Sequence, residues 1–361
     1  MVAPRAFVRC AGQRVSQAGQ LFPLSRRSGL EVDAGVGVIT RPAHFSVMET
    51  RGGVMVNNIN EDEHGIRELP LRHWKDLHDQ AGQLDGWLFR GEMADWPEGL
   101  ATSLERACKA IDSTLDHASP RESELMRQFR RRFHHYTSHI PDESDDLEWL
   151  SWMQHYSAPT RLLDWTYSIY VAAYFALETE PKNDRRENWQ KFRVVWAINP
   201  DWCRKNAEEL AERGGIGNED LKYFADQITE KDAAKFRRIF LRDQEPIRRK
   251  AILLVAPINP FRLNDRLSIQ KGLFLCPGSV TKPFMDNLKA LGGYKDRNNC
   301  RKLILFANEA KPLSPKEFRE ERLRALRELY HMNISHDTLF PGLEGFAKSL
   351  AVYHPVAWKN D

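Results

Sequence analysis

The sequence lacks a CxxC pair, a long apolar run and an excess of either charge, and each absence excludes a class of protein. Its five cysteines, Cys10, Cys108, Cys203, Cys276 and Cys300, are widely spaced, which argues against a zinc module or a disulfide framework. No apolar run approaches the roughly 20 residues that cross a bilayer. With 53 basic and 50 acidic residues, the formal net charge of +3 indicates no general affinity for nucleic acid or membrane. We therefore expect a soluble cytoplasmic protein.

The domain organisation follows from composition and turn residues. The 361 residues are 42% apolar and 29% charged, as in a globular protein with one large domain. Residues 1–68 are predicted to be a disordered or non-native extension, with Met48 or Met55 as the true start. The first 30 residues contain five arginines and no acid, so a targeting presequence is the other interpretation. The predicted domain covers 69–350, with its main motifs in 87–179, and 351–361 form a tail.

Helix starts are indicated by hydroxyl residues followed three positions later by glutamate. These pairs are Thr102 with Glu105, Ser119 with Glu122, and Ser314 with Glu317. Leu104, Cys108, Ile111 and Leu115 form one predicted apolar helix face. Further helices are predicted over 146–156 and 171–176.

Short apolar runs bounded by turn residues predict buried strands. These runs are 86–91, 193–198, 251–256, 273–276 and 303–307. Helices and strands do not alternate regularly, which favours an α+β fold with a mixed sheet and flanking helices.

The densest group of polar residues within an apolar background lies between Trp149 and Thr166. It contains Gln154, His155, Thr160, Arg161 and Asp164. Buried polar and charged groups need a partner or a ligand, because an unpaired buried charge is very unfavourable. Arg161 and Asp164 could satisfy one another.

These residues resemble the motifs of the FRG-domain family. Phe89-Arg90-Gly91 is similar to its (F/Y)RG motif, and 154–176 resembles QHYGxPTRLLDWTxSPxxAxxFA, with Ser157-Ala158 and Ile169 as departures. Downstream, 266–274 resembles the family's R…QxGxF stretch, and 334–345 resembles its SLFPDLDG segment. The resemblance implies a shared domain but no particular reaction.

We predict that these motifs form one ligand pocket. An arginine at a strand end suits bidentate binding of a carboxylate or phosphate, a histidine can act as a base, and free N–H groups at a helix start can bind an anion. The catalytic candidates are Arg90, His155 and Asp164, and the ligand-binding candidates are Gly91, Gln154, Thr160, Arg161, Thr166 and Gln270. No metal is expected, because no second histidine lies near His155 at metal spacing.

Structural roles for the same residues remain open. Arg90 could pair with Glu92, Glu124 or Asp164, and Asp164 or Thr166 could cap the following helix.

The order of these elements also resembles the layout of ADP-ribosyltransferase folds, in which an arginine holds the phosphate of NAD. Those enzymes commonly carry glutamate on a late strand, whereas this sequence has Gln270. The predicted ligand is therefore a nucleotide or another phosphate-bearing molecule, with NAD as a candidate cofactor.

Two other function classes compete with an effector enzyme. One is a non-catalytic sensing or protein-interaction module that uses the same pocket. The other is a nucleic-acid platform at 130–132 with Phe129, Phe133 and Tyr136, although their helical spacing favours a solvated helix face. The sequence indicates no oligomeric state.

Overall fold

The computed structural model describes residues 60–61, 64–112, 114–179, 192–225, 233–244, 247–308 and 311–357. Most of the predicted extension 1–68 lies outside these ranges, and so do the last four residues of the predicted tail. Within them the chain contains ten strands. They are β1 (Asn60–Glu61), β2 (Arg67–Leu71), β3 (Leu88–Glu92), β4 (Leu163–Thr166), β5 (Arg193–Ile198), β6 (Val255–Ile258), β7 (Gly272–Pro277), β8 (Cys300–Leu305), β9 (Ala307–Asn308) and β10 (Lys311–Pro312).

Helices flank these strands, and a 3₁₀ turn at Lys222–Phe224 follows the seventh helix. The helices are α1 (Trp74–Gln83), α2 (Ser103–Asp112), α3 (Ala118–Phe133), α4 (Asp146–His155), α5 (Ile169–Leu177), α6 (Pro200–Arg213), α7 (Asn218–Leu221), α8 (Ala233–Phe240), α9 (Asp265–Ile269), α10 (Phe284–Ala290), α11 (Pro315–His331), α12 (His336–Leu339) and α13 (Leu343–Ala357).

Among the described residues, eight strands form one mixed sheet in the order β1-β2-β8-β5-β3-β4-β7-β6. Only the β2–β8 pair in this sheet is parallel, and the other neighbours are antiparallel. The architecture is therefore α+β with a mixed sheet and flanking helices, as the sequence predicts.

The core lies on both faces of the sheet, because side chains alternate along each strand. In β5, Val194 and Trp196 belong to one hydrophobic cluster, which includes residues of α4, α6, α8 and α10. Val195 and Ala197 belong to the other cluster, with residues of α1, α5 and α11. This double burial explains why β5 is a continuous apolar run in the sequence.

Two of the three predicted helix starts are confirmed and one is wrong. Ser314 caps α11 and forms a capping box with Glu317, as predicted. Thr102 accepts a hydrogen bond from the backbone N–H of Glu105 at 3.1 Å, which also matches. The prediction for Ser119 is wrong, because α3 begins one residue earlier, at Ala118, and Glu122 is buried in an ion pair instead.

Two further predictions need correction. Ile111 was expected in the core but is 69% exposed, because it lies on the outer side of α2. The strand predicted over 251–256 begins at Val255 and continues to Ile258, where β7 supplies its pairing partner. Pro257 is tolerated there because β6 lies at the edge of the sheet.

Candidate functional site

A cavity of about 240 Å³ lies beside β3, β4 and the C-terminal end of α5, and we call it the motif cavity. Most of its lining belongs to the stretches that resemble known motifs. Its lining residues are Phe89, Arg90, Gly91, Glu92, Met93, Asp164, Trp165, Thr166, Phe175, Glu178, Arg266 and Gln270. Four separate segments of the chain therefore meet at one cavity.

Arg90 is held in the wall of the motif cavity by two contacts. Its Nε donates to Oε1 of Glu92 at 2.7 Å, and its Nη1 donates to the backbone carbonyl of Asp164 at 2.8 Å. Glu92 lies two residues away on the same strand, so both side chains point to the same side of the sheet. The side chain of Arg90 is 17% exposed, and its Nη2 makes no hydrogen bond to the described residues. Part of the guanidinium thus remains available to a ligand.

Gly91 is required by packing rather than by a turn. A Cβ atom at this position would lie 1.9 Å from the carbonyl oxygen of Ala172 in α5. Gly91 was predicted to bind a ligand, and in the structure it also permits the close approach of a helix to β3. This contact brings the end of α5, with Phe175 and Glu178, to the motif cavity.

Asp164 is oriented by residues that do not line the cavity. Nε2 of Gln154 donates to Oδ2 of Asp164 at 2.6 Å, and the hydroxyl of Thr160 donates to Oε1 of Gln154. Gln154 and Thr160 were predicted to contact a ligand. They instead form a hydrogen-bonded chain that supports the carboxylate.

Thr166 and Gln270 line the cavity and also connect structural elements. The hydroxyl of Thr166 donates to the backbone carbonyl of Gln270 at 2.7 Å and accepts from the N–H of Ser168 at 3.0 Å. Nε2 of Gln270 donates to the carbonyl of Leu339 at 3.0 Å, which ties the terminal motif to the site. The helix cap itself is Ser168, which accepts from the N–H of Val171.

Arg161 does not join the motif cavity. It is fully buried and pairs with Glu122 through Nε at 2.9 Å and through Nη2, while Nη1 donates to the carbonyl of Phe240. Glu122 also accepts from Gln244 at 2.7 Å. The expected pairing of Arg161 with Asp164 is wrong, because a closer carboxylate from α3 meets the guanidinium in the core.

His155 lies at the C-terminal end of α4 and is not a lining residue. Partial burial lowers the pKa of His155, and the positive charge of Arg266 lowers it further. A hydrogen bond with Asn264 opposes this shift. Its Nδ1 is buried and has no hydrogen-bond partner among the described residues. The imidazole is therefore neutral at neutral pH and is linked electrostatically to the cavity through Arg266.

Arg266 and Glu178 are cavity residues that the site prediction missed. Arg266 lies over the ring of Phe340 at 4.7 Å and makes no ion pair with the described residues. Burial raises the pKa of Glu178, although a hydrogen bond from His336 at 3.3 Å opposes the shift. Arg266 belongs to the R…QxGxF stretch, so that motif could have indicated it as a site residue. For Glu178 the sequence offered only a weak indication, because it is simply the acidic residue that follows the apolar helix α5.

Within the basic segment 130–132, Arg130 is paired with a buried carboxylate, whereas Arg131 and Arg132 are exposed. Arg130 donates to the buried carboxylate of Asp146 at 2.6 Å, and Arg237 donates to the same group at 2.6 Å. Phe133 is buried.

Two classes of site are absent from the described ranges of the chain. No group of three or more His, Cys, Asp or Glu side chains there is arranged to hold a metal ion. No helix in those ranges is long and apolar enough to cross a membrane.

The fold and the motif cavity define an α+β protein with an arginine-bearing cavity beside its central strands. Comparison with family models identifies residues 85–185 as an FRG domain. This part of the chain is therefore an FRG domain, and it runs from just before β3 to beyond α5. Searches of curated proteins and of solved structures found no match.

Proposed function

We propose that the motif cavity binds a small ligand with an anionic group, of which a nucleotide phosphate is the best match. The observation that carries this proposal is the presence of two incompletely neutralised arginines in one cavity. Arg90 has an Nη2 without a partner among the described residues. Arg266 lies over the ring of Phe340 and acts electrostatically on Glu178, but it forms no ion pair with the described residues. Guanidinium groups bind phosphate and carboxylate with high geometric specificity.

The size of the motif cavity limits the ligand. Its volume of about 240 Å³ is below the roughly 300–1,000 Å³ of typical small-molecule sites. A compact ligand, or one end of a longer molecule such as NAD, is therefore the better fit.

The carboxylates in the cavity wall bear on whether the bound ligand reacts. The carboxylate of Glu92 pairs with Arg90 and that of Asp164 accepts from Gln154, whereas among the described residues the carboxylate of Glu178 is hydrogen-bonded only to His336. Gln270 is not a carboxylate, so Glu178 is the candidate acid in an ADP-ribosyltransferase-like reaction. In such a reaction nicotinamide leaves NAD, the ADP-ribosyl group passes to a nucleophile, and a carboxylate stabilises the developing positive charge.

Ligand binding can be tested by thermal shift and calorimetry with AMP, ADP, ATP, NAD and inorganic phosphate. We expect at least one nucleotide to raise the Tm of the full chain, by an amount that increases with the logarithm of its concentration above the Kd. The double variant Arg90→Gln/Glu92→Gln removes the guanidinium but leaves two neutral polar groups that can still pair. This double variant and the single variant Arg266→Gln are each expected to weaken nucleotide binding about tenfold or more, because each loses a charge-assisted hydrogen bond.

Arg131→Gln is the matched control, because Arg131 is exposed on α3, away from the cavity. Equal losses in Arg131→Gln and Arg266→Gln would contradict the proposal, as would the absence of any Tm increase with every nucleotide.

Turnover separates the effector enzyme from a non-catalytic sensing module. The wild type and Glu178→Gln are incubated with NAD and ATP, and the products are separated by chromatography. Product formed by the wild type and lost in Glu178→Gln, with binding retained, supports catalysis. A ligand that binds through Arg266 and is recovered unchanged supports sensing instead.

A further inference from the structure

A second cavity, of about 330 Å³, lies between the C-terminal end of α1 and the starts of β2 and β8. It shares no lining residue with the motif cavity. Among the described residues, no acidic one lines it. Its polar lining consists of Arg67, Arg297 and Arg301 together with the amides Gln80, Gln83 and Asn298.

The positive charge of the three arginines is only partly compensated in the described part of the chain. The side chains of Arg67 and Arg297 donate no hydrogen bond to the described residues, and none of the three arginines forms an ion pair with them. Arg301 donates from Nε to the carbonyl of Arg297 at 2.5 Å and lies over the ring of Trp87 at 5.2 Å. Burial lowers the pKa of Arg301, the charges of Arg297 and Arg67 lower it further, and the charge of Asp296 opposes the shift.

The strand register brings two of these cations together. β2 and β8 are parallel with Glu68 opposite Lys302, so Arg67 and Arg301 come one residue earlier on adjacent strands. Like charges opposite one another destabilise a sheet. The cluster is therefore unfavourable without an anion.

We propose that the second cavity binds a compact polyanion with two or more phosphate groups, such as the diphosphate part of a small phosphorylated molecule. Three guanidinium groups match a ligand with several negative oxygens, and a recessed cavity of this volume suits a small molecule. Oε1 of Gln80 is buried without a hydrogen-bond partner among the described residues. It offers an acceptor for a hydroxyl or amino group of the same ligand.

Calorimetry with inorganic pyrophosphate on the full chain tests this site. We expect pyrophosphate to bind more tightly than inorganic phosphate, because it reaches more than one arginine. Arg297→Gln and Arg67→Gln are each expected to weaken pyrophosphate binding about tenfold or more. Arg297 is an exposed loop residue, so its variant is expected to fold normally.

Two comparisons assign the pyrophosphate to this cavity. Arg131→Gln, which removes one exposed positive charge elsewhere, is expected to leave the affinity unchanged. In Arg90→Gln/Glu92→Gln, which alters the motif cavity, the component of pyrophosphate binding that Arg297→Gln weakens is expected to persist. A loss of binding in either variant equal to that in Arg297→Gln would overturn the assignment, and so would a wild type that does not bind pyrophosphate.

Thermal unfolding without anions tests whether the arginines are structural. If they repel one another, Arg67→Gln leaves the Tm unchanged or raises it. The backbone register places Glu61 of β1 opposite Arg67, so a structural role would give a lower Tm on substitution. A lower Tm for Arg67→Gln would therefore overturn the proposal.

Discussion

At the scale of single residues, burial and the nearest carboxylate decide what each arginine does. Arg161 is fully buried and bound to Glu122, whereas Arg90 is 17% exposed and its Nη2 makes no hydrogen bond to the described residues. Both stand in motifs that resemble the same family. Their different roles arise from the elements packed around them, because α3 reaches Arg161 and leaves Arg90 at the cavity.

Removing either partner of the Arg161–Glu122 pair is expected to destabilise the protein strongly. A single partner would remain charged and unpaired in the core, which costs about 3–5 kcal/mol in the free energy of unfolding. Urea denaturation of Arg161→Ala and Glu122→Ala measures this loss. Arg127→Ala is the control, because its pair with Glu124 is exposed and should matter little. Equal midpoints for Arg161→Ala and Arg127→Ala would contradict the expectation.

Glu178 is expected to make stability depend on pH. Burial raises its pKa above the value in the unfolded chain, so the folded state binds the proton more tightly. This contribution to stability is fully present below about pH 4 and is lost as the pH rises through the folded-state pKa. Glu178→Gln should therefore gain stability relative to wild type with rising pH, until the difference levels off.

Denaturation of both proteins across about pH 5 to 8 measures this difference. His336, Arg266 and Lys348 act on Glu178 and are retained in the variant. The control is Glu344→Gln, because Lys348 lowers the pKa of that exposed carboxyl and reverses the sign of the effect. A difference for Glu178→Gln that shrinks with rising pH would refute the assignment.

At the scale of elements, the packing of α5 against β3 builds one wall of the motif cavity. Gly91 permits the carbonyl of Ala172 to approach β3 more closely than any side chain would allow. The helix is almost entirely buried, and Ser168 determines where it starts. A shift of α5 would move Phe175 and Glu178 away from Arg90.

Gly91→Ala is expected to destabilise the fold by about 3 kcal/mol, at the upper end of the range for overpacking, because the added Cβ meets helix backbone that cannot rotate away. Gly82→Ala is the matched control. A Cβ at Gly82 in α1 has no atom within 4 Å, so that substitution should be neutral or stabilising by up to about 1 kcal/mol. Chemical denaturation compares the two, and a neutral Gly91→Ala would show that β3 and α5 can separate without loss.

At the scale of the whole molecule, the matched FRG domain is not a complete structural unit. β3 and β4 share a single described residue pair, Phe89 with Thr166. Their longer pairings are with β5 and β7, which lie beyond residue 185. The terminal segment also supports the motif cavity, because the carbonyl of Leu339 accepts a hydrogen bond from Gln270 and the ring of Phe340 lies against Arg266.

A fragment of residues 85–185 is therefore expected not to fold cooperatively. It retains the motifs but leaves most hydrogen-bonding groups of β3 and β4 without their partner strands. Circular dichroism should show no sigmoidal thermal transition for the fragment, whereas the full chain shows one. A cooperative transition in the fragment would mean that these strands find other partners.

Much of the local structure was predictable from the sequence. The cap at Ser314 and the apolar run of β5 are local features, since a hydroxyl residue followed by glutamate or a continuous apolar run acts over a few residues. Local signals failed where long-range packing competed with them. Glu122 follows Ser119 at capping distance but pairs with Arg161 from 39 residues away in the chain.

The sequence by itself determined most element types, the α+β class and the FRG domain at residues 85–185, because these depend on short patterns of polarity and on motif residues at fixed spacing. Only the tertiary structure decided which motif residues share a cavity. Arg90, Asp164, Thr166 and Gln270 meet there with Glu178 and Arg266, while Arg161 is neutralised in the core. The reason is that proximity between distant segments depends on strand pairing and helix packing, which no short stretch of sequence encodes.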